Sequence, residues 1–168
     1  MTSVLMRRHA VRIARLVQIA LVLLAGLAGA SLWAHGAEPP SPAARAIGYR
    51  HALYTAVGYN VGELRAMLEG KTPYDAARFA TVAEHVAALV PLLPEAFPAG
   101  SDAGAPTAAK PQVWSEWPDF ERRLGDLSRA SSAFAAVARR GDLATIRPAF
   151  AELTQQCKAC HDHYKRED

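Results

Sequence analysis

The segment at 141–165, GDLATIRPAFAELTQQCKACHDHYK, decides how the chain folds. Its apolar residues recur every three or four positions, which is the period of one face of an α-helix. Asp142 can cap this helix, and Gly141 suits the end of a preceding one. Both cysteines of the chain lie on the predicted face, which consists of Leu143, Ile146, Phe150, Leu153, Cys157, Cys160 and Tyr164.

The same helical period appears in three earlier stretches, at about 44–69, 75–90 and 118–140. No stretch after residue 45 alternates with the period of two that marks a β-strand. The connections at 70–75 and 141–142 are short and the one at 91–117 is long, so the helices should pair as two antiparallel hairpins. We therefore predict an all-α fold, an antiparallel four-helix bundle over 46–168, with any cofactor in its core.

The N-terminus has the composition of an export signal. Its basic residues are Arg7, Arg8, Arg12 and Arg15, and an apolar run follows over 16–33. This order, with small residues after it, is typical of a secretory signal peptide. An uncleaved membrane anchor is the alternative, because about 18 apolar residues nearly span a bilayer. We predict a signal peptide over 1–36, cleaved near 30–37, then a linker over 37–45, and a periplasmic location.

The positive charge of the chain belongs to this leader. The whole chain has 19 Lys and Arg against 16 Asp and Glu, a net charge of +3. Without the four leader arginines, 15 basic residues face 16 acidic ones, a net charge of −1. This balance excludes a basic nucleic-acid-binding surface, so no nucleic-acid partner is expected. Export also places the cysteines in an oxidising compartment.

The sequence CKACH at 157–161 fits the attachment of c-type haem. Two thiols three residues apart on a helix reach the vinyl groups at one edge of the macrocycle, and the adjacent histidine lies beneath the iron. We therefore predict one covalent haem c per chain. Cys157 and Cys160 form its thioether links, and His161 is the axial iron ligand.

Other uses of the two cysteines fit less well. A redox pair favours a helix N-terminus, where the dipole lowers the thiol pKa, and this pair lies near a helix C-terminus. A zinc site needs two more ligands, and nothing fixes His163 or His85 at ligand spacing. A disulfide between helix positions i and i+3 is strained. A chance match is disfavoured because the chain has no other cysteine.

Residues beyond the motif resemble a known family. The predicted first helix carries YRHALYTAVGYNVGELRAMLEGKTPYDAA, the long connection carries EAFPAGS and KPQVWSEWPDF, and the end carries the segment quoted above. From about residue 47 to 166 the chain is similar to cytochrome c′, a family of class II c-type cytochromes. Cytochrome c′ is itself a standard example of the up-down-up-down four-helix bundle.

The resemblance directs attention to Tyr54. Low-spin members of the superfamily place a methionine ligand four residues before the glycine that corresponds to Gly58, whereas cytochromes c′ place a residue that does not bind iron. The only methionine outside the leader is Met67, which lies thirteen residues further on, or about 20 Å along a helix. The resemblance therefore implies five-coordinate, high-spin iron, with Tyr54 in the distal pocket. Val57 and Phe120 are its expected neighbours.

The resemblance also assigns charged residues around the haem. Arg50 corresponds to the family's arginine near the propionates, and a cation on a core face does require an anion. His51 lies beside it and is expected on the propionate side. His51 and His85 are also alternative sixth ligands of the iron, but neither is favoured. Lys165 stands where the family usually has arginine, near the proximal face. Lysine keeps the charge but not the planar fork of donors.

The function implied by the resemblance is gas binding. We expect a haem protein that binds nitric oxide and carbon monoxide at its open iron site, with nitric oxide buffering or protection as its role. The alternative is an electron carrier between redox partner proteins. No acid–base pair stands out, so we predict no enzyme and no catalytic residue. Family members are commonly homodimers through the first two helices, and we expect Leu53 and Met67 to be exposed apolar positions at that interface.

Overall fold

Residues 38–167 are described by the computed structural model, and they form four long helices. The helices are α1 (Pro42–Leu68), α2 (Ala76–Leu89), α3 (Trp117–Ala138) and α4 (Leu143–Tyr164). A 3₁₀ helix over Val90–Ala96 continues α2, and a single helical turn over Gln112–Ser115 precedes α3. The only β-type pairing within 38–167 is an isolated bridge between Ala109 and Lys165. The predicted all-α four-helix bundle is confirmed.

Side chains at the helix ends fix where each helix begins. The hydroxyl of Ser41 accepts a hydrogen bond from the first turn of α1, so this helix begins inside the stretch 37–45 that we expected to be a linker. Asp75 and Asp142 cap α2 and α4 as predicted. Gly141 joins α3 to α4 with a φ of 72°, a left-handed conformation that costs glycine little because it has no Cβ.

The helices close three of the four seams that a bundle of this kind has. α1 packs along α2, α2 along α3, and α3 along α4. Within the described chain, α1 and α4 have no comparable direct packing. Away from the cavity described below, the guanidinium of Arg65 on α1 lies 5.6 Å from the ring centre of Phe150 on α4. The open seam therefore lies between the first and last helices.

Two positions of α1 are buried where we expected exposure. Leu53 and Met67 are each only 6% exposed, so the expectation that they form an exposed dimer surface is wrong. The reason is that α1 packs against both α2 and the 3₁₀ helix, which buries a wider arc than one row of residues. Val57 is likewise a core residue and not a lining residue of the cavity described below.

Two apolar segments have the length and composition of a membrane span. Residues 16–33 belong to the predicted signal peptide over 1–36, which lies outside the described residues, so the domain boundaries stay a prediction. Among residues 38–167, only the segment Ala76–Ala96, with a mean hydropathy of 1.3, meets the same criteria. Its residues Phe79, Val82 and Val86 face the bundle core, and core helices often meet these criteria.

Candidate haem site

A cavity of about 370 Å³ occupies the open seam. Its volume lies within the range of about 300–1,000 Å³ that is usual for small-molecule and cofactor sites. α1 and α4 supply two walls, and the connection between the 3₁₀ helix and α3 supplies another. The lining residues that sequence reasoning had selected are Arg50, His51, Tyr54, Phe120, Cys160, His161 and Lys165.

The two cysteines lie on α4 at the border of this cavity and form no disulfide with each other. Cys160 lines the cavity, while Cys157, one turn earlier, packs against the hydrophobic core. Burial raises the pKa of both thiols, to about 11 for Cys160. Because the thiolate is the reactive form in redox exchange, a raised pKa argues against a thioredoxin-like pair.

The histidines considered for zinc have other partners. Nε2 of His163 lies 2.8 Å from a carboxylate oxygen of Glu116. Nδ1 of His85 lies 3.2 Å from the side-chain oxygen of Asn60, away from the cavity. No group of three or more His, Cys, Asp or Glu suited to a metal ion occurs in the part of the chain that the structure describes. These contacts give the zinc interpretation no support.

His161 and Tyr54 come together across the cavity, with ring centres 6.4 Å apart. Both side chains therefore face the same cavity, one from α1 and the other from α4. Burial, and secondarily the charge of Lys165, lowers the pKa of His161, which favours the neutral imidazole that metals bind. Burial raises the pKa of Tyr54, which therefore stays a neutral phenol.

Arg50 is a buried cation at the cavity wall, 3% exposed. Its N–H groups donate to backbone and hydroxyl oxygens of Ala96, Ser101 and Thr107, at 2.7–3.1 Å. No carboxylate pairs with it among residues 38–167, and burial lowers its pKa. Because a buried charge is normally neutralised by a partner, the cavity beside Arg50 suits an anionic group.

His51 and Lys165 both line the cavity, one from α1 and the other from the chain just after α4. His51 is exposed on α1 and lines the cavity beside Arg50. Lys165 follows the last residue of α4 in an extended conformation, with φ of −105° and ψ of 137°, and its backbone pairs with Ala109. Lys165 therefore leaves the helix four residues after His161, rather than continuing on the helical face.

Sequence reasoning missed the wall formed by the connection after the 3₁₀ helix. The additional lining residues are Thr55, Phe97, Thr107, Ala108, Ala109, Val113 and Tyr164. Most of them lie in the proline- and glycine-rich stretch, where no periodic pattern indicates which side chains point inward. Tyr164 was recognised as part of the α4 face, and that position could have placed it at the cavity.

Comparison with known proteins agrees with this geometry. The family model described as Cytochrome C′ matches residues 45–165. The cytochrome c′ of Rubrivivax gelatinosus is 37% identical over 120 residues, which are 71% of this chain and 93% of that protein. Cytochrome c-554 of Cereibacter sphaeroides is 35% identical over 127 residues, 74% of this chain and 95% of that protein.

A solved structure shows the same fold. Cytochrome c prime from Shewanella frigidimarina is similar with a TM-score of 0.73 and 40% identity, over 77% of this chain and 100% of that chain. Covalently attached haem c is the cofactor of this family. The open seam, the CKACH motif at its wall and the buried cation without a carboxylate all fit that group. The chain therefore belongs to the cytochrome c′ family and is a c-type haem protein.

Proposed function

We propose that the protein binds small neutral diatomic gases, nitric oxide and carbon monoxide, at five-coordinate, high-spin haem iron. Two solved relatives support this ligand class. They are structures of two variants of cytochrome c prime from Alcaligenes xylosoxidans, one in complex with nitric oxide and the other with carbon monoxide bound. Each is 29% identical to this chain, with a TM-score of 0.70.

In this proposal the chain's residues divide the work around the cofactor. Cys157 and Cys160 supply the sulfur atoms of the two thioether links, and His161 supplies the axial nitrogen. When bound, the haem offers an iron atom with one further coordination position. The charge of Arg50, with His51 beside it, would serve the haem propionates, and Lys165 would supply a cation on the proximal side.

The observation that carries the proposal is the position of Tyr54 opposite His161. A phenol binds iron as phenolate, and burial raises the pKa of Tyr54, so deprotonation is unfavourable. Met67 is only 6% exposed and belongs to the core, not to the cavity lining. Neither side chain is then suited to the sixth position, which would leave a bound iron open to an added ligand.

The walls around this position favour neutral ligands. Phe97, Val113 and Phe120 give the cavity an apolar side. The hydroxyls of Tyr54 and Thr55, which also line it, are uncharged, so an anionic ligand gains little there. Nitric oxide and carbon monoxide, which carry no charge, bind iron without such a gain. We include export to the periplasm and nitric oxide buffering in the proposal, as a binding function and not an enzymatic one.

A second copy of the chain is the partner we propose for the outer face of α1. Tyr59 is 71% exposed and Tyr49 is 40% exposed on this helix. The space over Gly62, on the same side of α1 as Tyr59, is open to at least 4 Å, so another helix could approach closely there. Sedimentation equilibrium of the holoprotein should give a dimer, and Tyr59→Glu should weaken it. A monomer at all concentrations would exclude this interface.

The substitution Tyr54→Met tests the gas-binding proposal. A thioether opposite His161 should bind the iron, turn the reduced spectrum from high-spin to low-spin and slow carbon monoxide association. Tyr54→Phe is the matched control, because it keeps the ring and removes only the hydroxyl; it should stay high-spin. If wild type and Tyr54→Met have the same low-spin spectrum, the iron already has a sixth ligand and the electron-carrier alternative is favoured.

A further inference from the structure

The guanidinium of Arg50 joins α1 to the connection that forms one cavity wall. Nε donates to the carbonyl of Ala96 at 3.1 Å, and Nη1 donates to Oγ1 of Thr107 at 3.0 Å. Nη2 donates twice to Ser101, to its carbonyl at 3.0 Å and to its hydroxyl at 2.7 Å. Three points of the segment 96–107 therefore depend on one side chain of α1.

These bonds use most of the hydrogen-bonding capacity of Arg50. A guanidinium has five N–H donors. The four hydrogen bonds to Ala96, Ser101 and Thr107 leave one N–H, on Nη1, for any other acceptor. A role limited to the haem propionates would leave this network unexplained, since its acceptors are all oxygens of the protein.

The network continues through aromatic contacts to Tyr54. The guanidinium carbon of Arg50 lies 4.3 Å from the ring centre of Phe97, a distance suited to a cation–π contact. The ring of Phe97 meets that of Tyr54 edge to face, with centres 6.2 Å apart and planes at 81°. Arg50 thus fixes both the backbone around Phe97 and the ring that supports Tyr54.

We propose that Arg50 is a positioning residue whose planar fork fixes the wall segment 96–107, so that Phe97 holds Tyr54 over the gas-binding face. This inference rests on the proposed function for its gas-binding part. It assigns to the geometry of the guanidinium a role that the positive charge alone cannot perform, because an ammonium lacks the fork that reaches three residues.

Two variants separate the fork from the charge. Arg50→Lys keeps a cation but loses the fork, and the double variant Ser101→Ala with Thr107→Val keeps Arg50 but removes its hydroxyl acceptors. Arg45→Lys, the same exchange at an exposed position of α1, is the matched control. The measurements are carbon monoxide association with the reduced holoprotein and amide hydrogen exchange across 97–106, which leaves out Ala109 because its N–H donates directly to the Thr107 hydroxyl.

We expect both test variants to behave alike. Loss of one charge-assisted hydrogen bond changes a local opening equilibrium by about tenfold, and each variant loses at least two of the four, so hydrogen exchange in the wall segment should be at least about tenfold faster. Carbon monoxide association should change in the same direction in both variants, and Arg45→Lys should match wild type. The double variant keeps the inference testable if Arg50→Lys does not fold.

Wild-type behaviour of Arg50→Lys, or of the double variant if that protein alone folds, would overturn the inference and leave Arg50 as a charge only. Faster exchange in the wall with unchanged gas association would also overturn it, since Tyr54 would then not depend on the anchor. If the wild-type protein does not bind carbon monoxide, the proposed function fails first. In that case hydrogen exchange tests only whether Arg50 anchors the wall segment. Exchange that is unchanged in the test variants would reject this anchoring role.

Discussion

The two halves of α1 follow one apolar period but face different surroundings. The C-terminal half buries Leu64, Met67 and Leu68 in the hydrophobic core. The N-terminal half continues the same stripe with Arg50 and Tyr54, which line the cavity. The comparison shows that a polar or titratable residue on a regular core stripe can mark the place where the core leaves room for a cofactor.

We call the C-terminal half of α1 the closed half and the N-terminal half, which lines the cavity, the open half. Substitutions in these two halves should have different consequences. Loss of a side chain from the closed half leaves a hole in a packed interior and lowers stability. Loss of a side chain from the open half removes a contact with the cofactor or its ligand and changes the spectrum. Substitutions in the two halves can test this division.

The largest effect is expected from the double variant Cys157→Ser with Cys160→Ser. Without the two thiols no thioether link can form, so haem attachment should be lost completely. Haem staining of the denatured protein on a gel measures this directly, because only covalent haem survives denaturation. A variant that still carried covalent haem would contradict the assigned attachment residues, since the chain has no other cysteine.

The substitution Leu64→Ala tests the closed half. Leu64 is 0% exposed, and truncating a fully buried leucine lowers the free energy of unfolding by about 2–5 kcal/mol. Denaturant unfolding of the holoprotein measures the loss. The reduced spectrum and its response to carbon monoxide should match wild type, and a changed spin state would show that the two halves are not independent.

A smaller, pH-dependent effect is expected at Asp119, next to the open half. Its carboxylate accepts hydrogen bonds from Arg123, Arg122 and Tyr164. These partners hold the pKa of Asp119 well below its usual range. Because the folded-state pKa is depressed, the stabilisation is present above the unfolded value of about 3.9 and disappears as the pH falls below it.

Replacing Asp119 with asparagine should therefore lower the denaturant midpoint at pH 7. The difference from wild type should shrink progressively as the pH falls below about 4, because the carboxylate of the unfolded wild-type chain then takes up a proton while the folded one resists protonation. Asp102→Asn, at an exposed loop position, is the control. A difference that stayed constant between pH 7 and pH 3 would mean that the network does not act through the charge of Asp119.

Much of the bundle was predictable because its signals are local. The periodic faces, the caps at Asp75 and Asp142 and the turn at Gly141 each depend on residues close in sequence. The CKACH motif belongs to the same class, because its chemistry is specified within five consecutive residues. These features required no knowledge of how the helices pack.

The remainder depended on contacts between distant parts of the chain. The acceptors of Arg50 lie 46 to 57 residues away, so sequence reasoning could identify an unsatisfied cation but not its network. Leu53 was expected at an exposed dimer interface, but α1 packs against both α2 and the 3₁₀ helix and Leu53 is buried. The wall residues Phe97 and Thr107 have no periodic pattern that would predict their direction.

The central claim is that the iron face beneath Tyr54 is open. The most direct measurement is the absorption spectrum of the reduced holoprotein with and without carbon monoxide. The account predicts a high-spin spectrum that changes on addition of the gas to that of a low-spin carbon monoxide complex. A low-spin spectrum before addition, with no response to the gas, would contradict the account and show that another ligand occupies the sixth position.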